Sequence, residues 1–362
     1  MHKRLYAACL LLPLLAACAG RPLTPWSADG PPLMVAPASA VGVTDRRGRF
    51  REIACAVIEA RTADQPDHQP CTDVLTRVGD EAGATGEAVD LGPSRRGLVA
   101  AVVPGIGWDC FRNWLDLELL PASLNERSGY SGLIIDVDGL SGTGNNARQI
   151  RDQIVSDPSR FVDHRLVLIG YSKGAPDILE ALVAYPEIRR HLVAVVSIAG
   201  AIGGSPLANT ASEGQLDLLR HMPQADCTRG DDKGVESLRP AVRRAWLAEH
   251  PLPEDIPYYS VVTLPSEDRV SSIMSGTHRK LARIDPRNDG QLIAWDQIIP
   301  GSTLVGYVNA DHWAVAVPIS ESHPFLGKTL VNHNAYPRRA MLEAVLRFVE
   351  EDLDRREASD SR

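Results

Sequence analysis

His164 to Leu182 reads HRLVLIGYSKGAPDILEAL, and its hydrophobic period changes halfway along. Leu166 to Ile169 is a short, continuous apolar run rich in branched side chains, the pattern of a strand buried on both faces of a parallel sheet. After Ser172 the period becomes helical, with Ile178, Leu179 and Leu182 on one face. Between the two lies Gly170-Tyr171-Ser172-Lys173-Gly174, a G-x-S-x-G turn. Its glycines leave room for a tight bend in which the serine backbone is strained. Such a turn lifts the serine Oγ out at the carboxyl end of the sheet. The following helix N-terminus adds partial positive charge at that point.

Working outward from this stretch, strand and helix patterns alternate. Strands are expected at Leu98–Val103, Leu133–Val137, Leu192–Ile198, Tyr259–Leu264 and Thr303–Val308. Helices are expected from the loop after residue 107 to about Asn125, over Asn145–Val155, and over Pro337–Leu353. The last of these has Met341, Leu342, Val345, Leu346 and Val349 on its inner face. Strands separated by helices imply a doubly wound, mostly parallel α/β sheet. Gly203 to Pro257 interrupts the alternation without a clear strand, and its length fits a helical cap over about 203–257 better than an irregular loop. Its apolar residues include Leu216, Leu218, Leu219, Leu238, Val242, Trp246 and Leu247. Residues 41–95 form a separate N-terminal piece, in which Arg51 to Ala60 fits a helix or a strand. From Asp354 the chain is a charged, frayed tail.

The strand–GYSKG–helix stretch resembles the nucleophile elbow of the α/β-hydrolases, and the resemblance extends over roughly residues 97–353. It implies a serine hydrolase with its functional groups in the order Ser, acid, His. Ser172 is then the nucleophile. The base is expected after the last strand, where Val305 to Trp313 reads VGYVNADHW and offers His312. His323 and His333 lie further on, and neither directly follows a strand.

For the acid, Asn288-Asp289-Gly290 resembles the turn that carries it, and leaves room for a short helix and one strand before His312. Asp268, with Glu267 beside it at the end of Tyr259–Leu264, and Asp296, close to the last strand, are alternatives. The family supplies oxyanion donors from the amide after the nucleophile, here Lys173, and from the loop after the first strand. In that loop Pro104-Gly105-Ile106-Gly107 resembles the family's H-G-x-x with Pro104 in place of histidine, and points to the Ile106 amide.

Other chemistries fit less well. Read as a dinucleotide loop with Asp136 or Asp138 on a ribose, Gly105-Ile106-Gly107 fails at the third glycine, which is Cys110. A Ser–Lys dyad is disfavoured because Ser172 and Lys173, adjacent at a helix start, point apart. There is no C-x-x-C, no H-E-x-x-H and no P-loop, so neither metal nor cofactor is implied. Net charge is −8 without a basic tract, which argues against nucleic acid as a partner. Gly204-Ser205-Pro206-Leu207-Ala208 is similar to the G-S-P-x-A segment that leads into the lid of bacterial lipases, so the expected substrates are carboxylic esters, of lipids or other acyl groups. An acyltransferase would keep the same residues and replace water by another acceptor. A non-catalytic binding lipoprotein of this fold would have no use for them.

At the start, His2, Lys3 and Arg4 precede an apolar stretch from Leu5 to Leu15 that is too short to span a bilayer. Leu15-Ala16-Ala17-Cys18 resembles a bacterial lipobox. It implies a signal peptide over residues 1–17, lipidation of Cys18, and, with Ala19 rather than aspartate following, an outer-membrane lipoprotein. Residues to about 40, rich in Pro, Ala and Ser, read as a tether. In that oxidising compartment Cys55, Cys71, Cys110 and Cys227 are disulfide candidates, with Cys55–Cys71 and Cys110–Cys227 the favoured pairing over three possibilities.

Overall fold

The elbow strand lies in the middle of an eight-stranded sheet. In chain order the strands are β1 (Thr44–Asp45), β2 (Leu75–Thr76), β3 (Val99–Val103), β4 (Ser131–Ile134), β5 (Leu166–Tyr171), β6 (Leu192–Ile198), β7 (Tyr258–Thr263) and β8 (Thr303–Val308). The helices that matter here are α1 (Arg47–Arg61), α2 (Trp108–Leu115), α3 (Thr143–Ser156), α4 (Gly174–Ala184), α5 (Pro240–Glu249), α6 (Ser275–Leu281) and α7 (Arg338–Asp360). The computed structural model describes residues 42–61, 67–81, 83–115, 127–156, 166–211, 227–228 and 230–361, all within one compact unit, Ala38–Arg362.

Across the sheet the order is β4-β3-β5-β6-β7-β8-β1, all parallel, while β2 pairs antiparallel with β8. The chain runs outward from β3 to β4 and then returns to the other side of β3 as β5. The order therefore reverses between β3 and β5, and it is outside the carboxyl ends of strands at such a reversal that α/β sheets bind ligands.

Alternation along β5 explains the two layers. Val167 and Ile169 face a core built with Phe50, Ile53 and Val57 of α1 and Leu346, Phe348 and Val349 of α7. Leu166 and Leu168 face the other core, with Ile150 of α3 and Ile178, Leu179 and Leu182 of α4. Covered on both faces, β5 reads as an unbroken apolar run.

Two expectations change and one open choice is settled. Residues 41–95 are not set apart: β1 and β2 both pair with β8, and α1 packs on α7, with Phe50 and Phe348 edge to face at 5.9 Å. Arg51 to Ala60 lies wholly within helix α1. The closing helix continues through the expected tail to Asp360, because Arg96 binds both Asp354 and Glu357 and holds the last turns on the sheet layer. Among the described residues between 203 and 257, Pro206–Asn209, Glu236–Leu238 and α5 are helical, and the others are turns or irregular. Leu216, Leu218, Leu219, the end of the expected helix to Asn125, and the segment with Cys18 lie outside the described residues.

Both expected disulfides are formed, Cys55–Cys71 within the α1 region and Cys110–Cys227 from α2 to the return of the cap segment. The return is also pinned by hydrogen bonds. The Thr228 amide donates to Asp109 at 2.9 Å, and the Gly142 amide to Asp231 at 2.7 Å.

Candidate active site

Ser172 occupies the turn between β5 and α4 with φ +54°, a left-handed conformation that costs an L side chain energy and persists only where the surroundings impose it. The surroundings here are specific. The Ser172 amide donates to Ile198 O at 3.2 Å, and Ser172 O accepts from the Ala201 amide at 3.0 Å. Gly174 lets the turn close, since a Cβ there would lie 2.0 Å from Val103 O. Gly105, in the loop after β3, passes so close that its Cβ would meet Ser172 Cβ at 2.9 Å. A Cβ on Gly170, the first glycine of the motif, would lie 2.3 Å from Ala175 Cα, so both glycines of G-x-S-x-G are steric requirements of the turn.

His312 follows β8 and Asp289 the connection after β7. Ser172 Oγ is 2.9 Å from His312 Nε2, and His312 Nδ1 is 2.7 Å from Asp289 Oδ2. A carboxylate only accepts, so Nδ1 carries the proton and Nε2 is left to accept from the serine hydroxyl. All three side chains are buried, Asp289 completely.

A buried carboxylate survives only when its lone pairs are satisfied. Oδ1 of Asp289 accepts from the Gln291 and Leu292 amides at 2.9 and 2.7 Å, and Oδ2 from Thr263 Oγ1 at 2.5 Å and Gln297 Nε2 at 3.3 Å. Burial alone would raise the Asp289 pKa. The neighbouring His312 and the hydrogen bonds from His312, Thr263 and the Leu292 amide overcome it, and the net direction is down. The group is a fixed anion beneath the imidazole.

The other acid candidates are not joined to His312. Asp268 is solvent-facing, its pKa lowered by the Ser266 hydroxyl. Asp296 lies against Gly203, whose Cβ would meet its Oδ1 at 2.5 Å, and burial pushes it up to about 6 against the pull of Arg244.

The proposed oxyanion donors flank the serine. Among the described residues neither the Ile106 nor the Lys173 amide is tied to another protein group, whereas Gly107 and Trp108 amides are bonded to Gly139 O and Gly105 O. The Lys173 side chain turns away from Ser172. Its Nζ lies 2.8 Å from both carboxylate oxygens of Asp177, one helical turn on, and Asn146 donates to the same carboxylate at 2.7 Å. That geometry contains no Ser–Lys dyad. Nor does it contain a ribose site: Asp138 accepts from Ser141 and Asn145, and Asp136 pairs with Arg112.

Several supports had no sequence signal. Thr263 and Gln297 meet Asp289 only because the β7 end and the 294–297 turn converge on it. Tyr171 sits inside the motif, yet its role is long-range: its hydroxyl, kept protonated by burial, donates to His312 O at 2.7 Å.

With this geometry established, similarity to known proteins gains meaning. No protein-family profile and no curated protein sequence matches the chain. Among solved structures, it is similar to the metagenomic carboxyl esterase MGS0156, with 38% identity, 94% of this chain and 99% of that one covered, and a TM-score of 0.80. The mature lipase BlEst2 of Bacillus licheniformis shares the fold at 17% identity, over 67% of this chain and 95% of that one, with a TM-score of 0.50. EstA of Clostridium botulinum shares it at 13% identity, over 84% and 98%, also with a TM-score of 0.50.

Proposed function

The chain belongs to the α/β-hydrolase family of carboxyl esterases and lipases and is a carboxylic ester hydrolase, and from that premise we propose that it cleaves lipid or other acyl esters through an acyl-enzyme on Ser172. The observation that carries this reading is the hydrogen-bonded chain from Ser172 Oγ through His312 to Asp289, with the serine held at positive φ.

In the first half-reaction Ser172 Oγ attacks the ester carbonyl while His312 Nε2 takes its proton. Asp289 holds the imidazole in the tautomer that leaves Nε2 free, and stabilises the imidazolium that forms. The carbonyl oxygen becomes an oxyanion within reach of the Ile106 and Lys173 amides, at the positive end of α4. The tetrahedral intermediate collapses, the ester C–O bond breaks, and His312 returns its proton to the leaving alcohol. In the second half-reaction water attacks the acyl-enzyme with His312 again as base. The carboxylic acid leaves and Ser172 is restored.

The same proposal sets the enzyme at the bacterial cell envelope as an outer-membrane lipoprotein, acylated on Cys18 after removal of residues 1–17. The mass of the mature protein tests that part.

Labelling the folded protein with a fluorophosphonate, followed by peptide mass spectrometry, tests the chemistry. A single adduct on Ser172, with ester hydrolysis abolished in Ser172→Ala, is the expected result. An adduct elsewhere, or full esterase activity in Ser172→Ala, overturns it. Product analysis with added alcohols distinguishes hydrolysis from acyl transfer.

A further inference from the structure

Two segments that leave the carboxyl end of the sheet on either side of His312 carry no acidic residue: 272–284, after β7, and 322–334, after β8. In a chain of net charge −8 this is a local reversal of sign. The segments are joined, the Ile273 amide donating to Leu330 O at 2.9 Å, and both are anchored beside the candidate site, the Ser271 amide donating to Asp311 at 2.8 Å. They also hold most of the large apolar side chains the described surface exposes: Phe325 at 78%, Leu330 at 48% and Ile273 at 43%.

Arg279, Arg283 and Lys328 make no ion pair among the described residues. Of the acids next to the two segments, Asp285 pairs with Arg287 at 2.7 Å and Glu321 with Arg338 at 3.2 Å, while Glu267 and Asp268 are exposed ahead of the first segment, Asp268 within the field of His333. An exposed phenylalanine flanked by leucine and isoleucine is a costly arrangement in water, and marks an interaction surface rather than a packing accident. Exposed apolar side chains that share two segments with Arg and Lys unpaired among the described residues match one partner chemistry closely: a lipid surface with anionic headgroups, whose acyl region takes the apolar groups while its charge meets the cations.

We propose that this face, centred on Phe325, Leu330 and Ile273, docks the enzyme on an anionic phospholipid surface. Docking there brings the carboxyl end of the sheet, and with it Ser172 and His312, toward the lipid. The inference concerns binding alone and stands apart from the catalytic reading.

Co-sedimentation of the chain from Ala19 to Arg362, which carries neither the apolar leader nor the acylatable Cys18, tests it with vesicles of phosphatidylcholine alone and of phosphatidylcholine mixed with phosphatidylglycerol. Binding to the mixed vesicles, much weaker binding to phosphatidylcholine, and loss of binding at about 0.5 M salt are expected. The double variants Phe325→Ser/Leu330→Ser and Arg279→Ser/Lys328→Ser should each lower binding about 10-fold or more, and keep hydrolysis of a soluble short-chain ester unchanged. Unchanged activity shows that the variants are folded. Equal binding to both vesicle types, no binding by the parent protein, or binding indifferent to both double variants overturns the proposal. So does a concentration-dependent dimer that the Phe325→Ser/Leu330→Ser variant abolishes, since the face would then belong to a second copy of the chain.

Discussion

Asp289 holds His312 twice: its main-chain carbonyl accepts the His312 amide at 3.0 Å, and its carboxylate takes the ring Nδ1 at 2.7 Å. One residue thus fixes both the backbone from which the imidazole projects and the tautomer it adopts. The two loops that carry acid and base cannot move apart without breaking both bonds.

Asp289→Asn keeps the shape of the site but offers Nδ1 an amide in place of a carboxylate, which favours the wrong tautomer. A fall in kcat of about 10,000-fold with little change in KM is expected. Asp268→Asn and Asp296→Asn should each stay within a few-fold of the parent protein, because neither touches His312. Steady-state kinetics on one soluble ester measures all three.

The oxyanion loop is tested at Gly105. A methyl group there meets Ser172 Cβ at 2.9 Å, so Gly105→Ala must displace either the loop that carries the Ile106 amide or the nucleophile itself. Loss of one aligned oxyanion donor lowers kcat about 100- to 1,000-fold. Melting of Gly105→Ala near the parent temperature, alongside that loss, would locate the damage in the site and not in the fold.

Behind the elbow, Lys173 and Asp177 are a buried ion pair at 2.8 Å. Lys173→Met leaves the Asp177 carboxylate without its countercharge and should cost about 3–5 kcal/mol of stability. Removing both charges in Lys173→Met/Asp177→Leu should cost less than the single change, because an unpaired buried charge is worse than none. Urea unfolding midpoints compare the two.

The disulfides differ in the length of chain they close. Cys55 and Cys71 are 16 residues apart, Cys110 and Cys227 117. In the chain-entropy account the short loop is worth about 3 kcal/mol and the long one about 4.7. The Cys110→Ser/Cys227→Ser protein should therefore unfold at lower urea than Cys55→Ser/Cys71→Ser. The reverse order would show that strain or residual structure in the unfolded chain outweighs loop closure.

Acid sensitivity should have a traceable component at Glu52. Burial would raise its pKa, but hydrogen bonds from Thr85, the Gly86 amide and Arg49 bring it from 4.5 to about 2. A folded pKa below the unfolded one means that the unfolded chain binds more protons in that window. The stabilisation is thus complete above about pH 4.5 and disappears as pH falls toward 2. Glu52→Gln should be less stable than the parent at pH 6, and the gap should narrow below about pH 4.5 and close only near pH 2.

Features written in adjacent residues were legible from the sequence alone. The change of period at Ser172, the glycines on either side of it and the branched run of β5 are local consequences of sterics and burial. They determined the parallel sheet and the position of the serine in the turn at its carboxyl end. His312 could be found because it lies in the loop that directly follows the last strand, Thr303–Val308.

Tertiary structure decided whatever depends on closeness without sequence adjacency. Asp289, Asp268 and Asp296 all sit in loops near the same strand ends, and only the folding of the 289–292 turn beneath His312 separates them. Residues 44–76 carry too short a pattern to announce two strands, yet β8 offers an open edge, and unpaired backbone groups there are satisfied by β1 and β2. Thr263, Gln297 and Tyr171 gained their roles the same way. A buried carboxylate and an imidazole each need partners, and the partners are whichever groups the sheet brings within hydrogen-bond reach.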